Sequence, residues 1–297
     1  MKPIVVVLVL SVAVSGTLGA PPAPASTTNF PPATFDGKVD VGGHRLRIVT
    51  YGRGTPAVVI EAGGSQAGIE NPHWKAVIDE ISKTTRICVY DRANLGWSDA
   101  IPNKWRTSQD IAKDLHTLLT AAKVPGPYVL VGHSVGGLNA RVYAGLYPDE
   151  VAGVVLVDAT HPDRKSKLLA ALPAESPDED ENIKAVRENI IAEDTDPSFN
   201  GERMDPVASA AQARAAGTLG DKPLVVLTRS PKAYAQNPIM RHFLEPAWQE
   251  LQRDLARLSS NSTHKVAAKA GHFISVDEPQ LVIDAIRQVI DAGKRQR

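Results

Sequence analysis

Two kinds of hydrophobic pattern divide the chain. From Val39 to Val49 apolar and polar residues alternate around Gly42-Gly43, which predicts a half-buried antiparallel hairpin closed by a tight turn. Beyond it, alternation gives way to short continuous apolar runs: Ala57 to Ile60, Arg86 to Tyr90, Tyr128 to Val131, Val154 to Val157 and Leu224 to Leu227. Each contains valine and ends in turn residues, as strands buried on both faces do. A further short strand is predicted over His264 to Ala268. Helical periodicity lies between the runs. Ile111, Leu115, Leu118 and Leu119 share one stripe of Ser108 to Ala122, and Leu281, Ile283, Ala285, Ile286, Val289 and Ile290 form another near the end. Strand alternating with amphipathic helix predicts the α/β class, with a mostly parallel twisted sheet flanked by helices on both faces.

The pattern breaks in two places. Between Asp158 and Leu224 lie proline-punctuated pieces with no clear strand, including the acidic run Asp178 to Glu181 and a helical stretch Ile183 to Ile191. A helical lid at about 159–223 accounts for this better than a long structureless loop. The acidic run reads as a solvated face, and the Lys294 to Arg297 tail as a frayed end. At the other end, Lys2 precedes an apolar stretch from Ile4 to Leu10, continued by Val12 to Val14, and Ala23-Pro24-Ala25 fits a small-x-small cleavage site. Residues 1–25 are therefore expected to be a signal peptide, and the chain to be secreted or periplasmic. The stretch is shorter than the roughly 20 residues a membrane span needs, so no stable insertion is expected after cleavage. Residues 26–33 complete a proline-rich tether, and the folded domain is expected over 34–297, beginning near Thr34.

Composition narrows the partners. The 33 basic and 33 acidic residues balance, which leaves no net field to attract nucleic acid or anionic lipid; a small-molecule substrate fits better. Oligomeric state does not follow from the pattern. The single cysteine, Cys88, excludes an internal disulfide and a cysteine metal cluster; lying in a strand pattern, it reads as a buried small hydrophobe.

The chemistry concentrates where one strand meets one helix. Tyr128 to Val131 runs directly into Gly132-His133-Ser134-Val135-Gly136-Gly137, and a helical pattern, Leu138 to Leu146, begins at once. This is a nucleophile elbow: the turn is so sharp that side chains at the glycine positions would collide, while Ser134 is exposed at the helix N-terminus. A serine hydroxyl needs a base to accept its proton. His272, in Ala270-Gly271-His272-Phe273-Ile274, lies after the final strand pattern and before the last helix, where such a base belongs. The remaining histidines place less well. His44, His116, His242 and His264 fall inside strand or helix patterns, His133 is expected to pack beside the site, and His73 and His161 lie in loops able to line a pocket. None of the eight forms a metal-binding pattern such as HExxH.

From the elbow outward, the region from Thr34 to the C-terminus resembles the α/β-hydrolase superfamily and, within it, a lid-bearing serine esterase and haloalkane-dehalogenase-like branch. Glu61-Ala62-Gly63-Gly64-Ser65 stands where many members carry His-Gly-x-Pro, the loop that supplies one oxyanion-hole amide. The resemblance implies an oxyanion hole made from the N–H of Val135 and one from Gly64 or Ser65, with neither preferred because the His and Pro are absent. Tyr90 to Asp99 is similar to the family's Asp-Arg-x-Gly-x-Gly-x-Ser segment, which makes Asp91 and Arg92 scaffold residues. Most members place the triad acid after the strand that follows the lid, yet Leu227 to Tyr234 holds no carboxylate. Some dehalogenase-like relatives place it one strand earlier, which points to Asp158. A capping or hinge role for Asp158, with Asp163 or Glu245 as the acid, stays open. The expected activity is cofactor-free hydrolysis of carboxylic esters of small to medium uncharged substrates. A serine at the elbow argues against the haloalkane and epoxide chemistry that relatives perform with an aspartate there. Amidase or peptidase action, perhydrolysis, and a silent binding role are the alternatives.

Overall fold

The chain enters its sheet through an antiparallel pair, β1 (Ala33–Asp40) and β2 (Arg45–Tyr51), joined across Gly42 and Gly43, both at positive φ. The computed structural model describes residues 29–101, 104–193 and 201–295. The expected signal peptide and the first residues of the tether lie outside them. There follow β3 (Ala57–Glu61), α1 (Lys75–Ile81), β4 (Ile87–Tyr90), α2 (Ser108–Ala121), β5 (Tyr128–His133), α3 (Gly136–Leu146) and β6 (Val151–Val157). After β6 come α4 (Arg164–Ala171), α5 (Glu181–Ala192) and α6 (Pro206–Ala215), and then β7 (Leu224–Thr228), α7 (Glu245–Leu255), β8 (Ser262–Val266), α8 (Ile274–Asp277) and α9 (Pro279–Arg295).

The eight strands form one sheet in the order β1-β2-β4-β3-β5-β6-β7-β8, antiparallel at β1, β2 and β4 and parallel from β4 through β8. Side chains alternate between two cores, as the pleat requires. Val59 and Leu130 face α2 and α3 with Leu115, Leu118 and Tyr143. Val58, Ile60, Val129 and Val131 face α1 and α9 with Ile78, Ile81, Ile286 and Val289. Helices on both faces explain why the strands read as unbroken apolar runs. Cys88 is buried in β4, and burial pushes its thiol up to about 12.

Several local expectations differ from the structure. The last strand covers Ser262–Val266 rather than His264–Ala268, because its pairing with β7 ends at Thr228↔Val266 and Ala267 already turns, donating to the Thr228 carbonyl. The acidic run is not only a solvated face: Asp180 caps α5 through the N–H groups of Asn182 and Ile183, and Glu179 pairs with Arg187 at 2.6 Å. The basic tail is helical to Arg295.

The helices between β6 and β7 build a satellite core. Leu168, Leu172, Val186 and Ile190 pack on Met240, Leu244 and Ala247. Ion pairs Asp163–Arg214 and Lys167–Glu250 tie α4 to α6 and α7. Residues returning from the insertion meet the α2 approach, where Arg106 donates to the Arg203 carbonyl and Asp205 to that of Arg106.

Candidate active site

β5 ends in a tight turn into α3. Ser134 has φ 53, a left-handed conformation that a non-glycine residue holds only when its surroundings enforce it. Its N–H donates to the Val157 carbonyl, and its own carbonyl accepts from Gly137 and Thr160. The glycines are sterically required: a Cβ on Gly136 would lie 2.2 Å from the Glu61 carbonyl oxygen, and one on Gly132 would lie 2.8 Å from that of Gly136. Among the described residues the Ser134 hydroxyl has no hydrogen-bond partner, and it faces a cavity of about 530 Å³ that His272 also lines.

Asp158 follows β6 directly, at φ 42, with its N–H on the Leu227 carbonyl. This turn places a fully buried carboxylate at the C-terminal edge of the sheet. Oδ2 lies 2.6 Å from His272 Nδ1 and accepts from Arg229 Nη1 at 3.1 Å; Oδ1 accepts from Trp248 Nε1 at 2.8 Å and from the Arg229 N–H at 3.2 Å. Four donors satisfy the acceptor capacity of one carboxylate. Burial pushes the Asp158 pKa up, but the charge of Arg229 and the bond from His272 outweigh it and hold the carboxyl at about 2. An ionised Asp158 requires His272 to carry its proton on Nδ1, which leaves the Nε2 lone pair for a proton acceptor's role.

The loop bearing His272 is fixed on every side. Gly271 donates to Asp277 Oδ2 at 2.8 Å, and Ser230 donates to the Ala270 carbonyl. His133 packs its ring 4.6 Å from that of His272 and meets the His272 carbonyl through Nε2 at 3.0 Å. Since a carbonyl only accepts, His133 Nε2 is the protonated nitrogen. Burial and the neighbouring His272 hold His133 down at about 3, so it is neutral. His161 lines the cavity and bonds Asp254, whereas His73, which is not among the cavity-lining residues, packs its ring tilted against Phe273 with centroids 4.5 Å apart.

The other two acid candidates go elsewhere. Asp163 bonds Arg214 at 2.6 Å, and Glu245 bonds Arg229 at 2.8 Å. The two candidate oxyanion amides also separate. The Ser65 N–H donates to Glu202 Oε1 at 2.9 Å. Among the described residues no hydrogen bond occupies the N–H of Gly64 or of Val135. Asp91 is scaffold, accepting from Gly68, Ile69 and Trp97 N–H groups.

Sequence reasoning missed Arg229, Trp248 and Glu202. Arg229 left a signal: a cation directly after a buried parallel strand, where an acid was sought, demands a carboxylate on the adjacent strand end. Trp248 lies on α7, whose Glu245-Pro246 start and apolar spacing Ala247, Trp248, Leu251, Leu255 mark an amphipathic helix. Glu202 left none.

Comparison with known proteins agrees with the fold. Residues 56–190 match the family described as alpha/beta hydrolase fold. YqjL of Bacillus subtilis strain 168 is 29% identical over 239 residues, covering 80% of this chain and 85% of YqjL. The efuK protein of Hormonema carpetanum is 28% identical over 305 residues, covering 88% of this chain; the chain spans 43% of that relative's length. Among solved structures, a thermophilic esterase from Thermogutta terrifontis superposes with a TM-score of 0.57 at 23% identity, over 87% of this chain and 99% of that one. The chain has the α/β-hydrolase fold, and residues 56–190 carry the match to that family. Its fold is that of a hydrolytic enzyme.

Proposed function

We propose that the protein is a serine hydrolase that cleaves carboxylic esters of small to medium uncharged substrates. The observation that carries this reading is the 2.6 Å contact of Asp158 with His272 beside the cavity that Ser134 faces. In this reading His272 Nε2 takes the Ser134 proton as Oγ bonds to the ester carbonyl carbon, and the carbonyl electron pair moves onto oxygen. The N–H groups of Val135 and Gly64 receive that oxyanion. Collapse expels the alkoxide, which takes the proton from His272; water then repeats the sequence and frees the acid. The missing Ser134–His272 hydrogen bond is compatible with this, since such contacts tighten when substrate binds.

Cavity size and lining support the substrate class. About 530 Å³ suits a small ligand, and Leu138, Leu169, Met204 and Val207 supply apolar wall. Two of the arginines that line it are paired, Arg164 with Glu193 and Arg214 with Asp163, which favours an uncharged guest. The helices α4 to α6 act as the lid over this cavity, and export by the N-terminal segment is part of the same proposal.

The test is fluorophosphonate labelling together with a panel of p-nitrophenyl esters of graded acyl length beside aminoacyl anilides. Wild type is expected to label at Ser134 and to hydrolyse the esters. Ser134→Ala is expected to lose both while keeping its circular dichroism spectrum. Labelling that persists in Ser134→Ala refutes the assignment, and anilide without ester turnover refutes the substrate class.

A further inference from the structure

The loop between β3 and α1 would carry the Gly64 amide, and one arginine holds it from beneath. Arg92 is 3% exposed and donates Nη1 to the Ala62 carbonyl at 2.8 Å and Nη2 to the Gly63 carbonyl at 2.7 Å. Its remaining face meets Glu202, Nε to Oε2 at 2.6 Å and Nη2 to Oε1 at 2.9 Å. Glu202 is itself buried and belongs to the insertion, 110 residues away in sequence, and its Oε1 also accepts from the Ser65 N–H. Burial opposes the charge on Arg92, but Glu202 and Glu61 outweigh it and raise its pKa, so the guanidinium stays charged.

The Gly63 carbonyl and the Gly64 N–H belong to one peptide group. A charged donor on the carbonyl oxygen draws density from the nitrogen, which makes the N–H a stronger donor, and it fixes the plane in which that N–H points. Meanwhile Glu202 ties up the neighbouring Ser65 N–H, so of the two candidate amides Gly64 is the one left without a hydrogen bond among the described residues. We propose that Arg92 and Glu202 are positioning residues of the oxyanion hole: Arg92 polarises and orients the Gly63–Gly64 peptide, and Glu202 makes that geometry depend on the insertion being seated. Arg92 therefore does more than brace the scaffold. The inference rests on the serine-hydrolase reading and names the groups that prepare its oxyanion site.

The role predicts a loss confined to the transition state. Arg92→Lys keeps a cation beside Glu202 but cannot span both carbonyls. Its kcat is expected to fall about 10- to 100-fold, short of the roughly 100- to 1,000-fold lost with a whole oxyanion donor. KM is expected to stay within about twofold, the pattern of an interaction made only in the transition state. The Ki of a trifluoromethyl ketone, whose adduct with serine carries an oxyanion, should rise in proportion to the fall in kcat. The double variant Arg92→Met/Glu202→Gln removes the Arg92–Glu202 charge pair, leaving Glu61 with its contacts to Tyr90 and Asn139, and should keep the same deficit. Wild-type kcat and Ki in Arg92→Lys, or their recovery in the double variant, would overturn the proposal, the latter by tracing any single-variant defect to a disturbed pairing with Glu202 rather than to the lost carbonyl contacts. Fluorophosphonate labelling of wild type at Ser134 separates the two levels: its absence defeats the hydrolase reading, whereas normal labelling with an unaffected Arg92→Lys defeats this inference alone.

Discussion

Arg229 donates to Asp158 twice, through its backbone N–H at 3.2 Å and through Nη1 at 3.1 Å, from the loop after β7 where the resemblance leads one to look for an acid. The position is thus filled by the opposite charge, and the carboxylate stands on the neighbouring strand end instead. Glu245 takes the rest of the guanidinium, at 3.0 Å from Nε and 2.8 Å from Nη2, with Gln249 Nε2 on its other oxygen at 2.8 Å. One cation between two carboxylates leaves a single negative charge to face His272.

Removing Arg229 alone should therefore be severe. Arg229→Met leaves Asp158 and Glu245 as buried carboxylates without their shared cation, which costs on the order of 3–5 kcal/mol of unfolding free energy. Glu245→Gln in the same chain should recover part of that loss, because the second uncompensated charge is gone. Urea unfolding of the two single variants and the double measures the coupling; additive losses would show that the residues do not act as one unit.

Asp158→Asn should keep the fold and lose turnover by up to about ten-thousandfold, since an amide facing His272 favours the wrong histidine tautomer. The control is Asp163→Asn, whose side chain meets Arg214 and His161 and not His272. It should turn over ester within about twofold of wild type. Near-normal rates in a folded Asp158→Asn variant would remove the aspartate from the mechanism.

The depressed pKa of Asp158 also has a stability consequence with a definite sign. Burial raises it, and Arg229 and His272 more than reverse that, bringing it from 3.8 to about 2. The group therefore stabilises the fold above pH 3.8, and that stability is lost as pH falls through about 2. The linkage amounts to about 2 kcal/mol. Unfolding free energies of wild type and Asp158→Asn should differ by a constant amount above about pH 4 and converge by about that much on approaching pH 2. A gap that does not change with pH would contradict the depression.

Sequence pattern exposed those parts of the molecule whose cause is local. The runs Tyr128 to Val131 and Leu224 to Leu227 are strands because every residue in them meets a core, and the elbow is visible because steric demands fall on adjacent glycines. Asp158 could be named because it directly follows a legible strand, and His272 because it lies between the last strand pattern and the last helix. The pairing of Arg92 with Glu202, and of Asp158 with Trp248, spans 110 and 90 residues, and no periodicity encodes such contacts. The helix α6 lies between these cases. Asp205 at its N-cap and Pro206 in its first turn are start signals, but the helix is rich in alanine and shows no apolar stripe to announce it.

The elbow glycines offer the most local test of the architecture. A methyl group on Gly136 would sit 2.2 Å from the Glu61 carbonyl oxygen and 2.6 Å from that of Ala62. Both are backbone atoms at the end of β3, so relief requires moving α3 or the loop that carries Gly64. Gly136→Ala should then lower stability by at least the 1–3 kcal/mol typical of overpacking and cut turnover, because the displaced loop carries the Gly64 amide. Gly271→Ala is the matched control, as its nearest obstacle is Asp277 Oδ2 at 3.5 Å, an ordinary contact, and its φ lies outside the left-handed region. That variant should melt within about 2 °C of wild type and retain its labelling by fluorophosphonate. Equal tolerance at both positions would mean that β3 and α3 do not meet as closely as the turn at Ser134 demands.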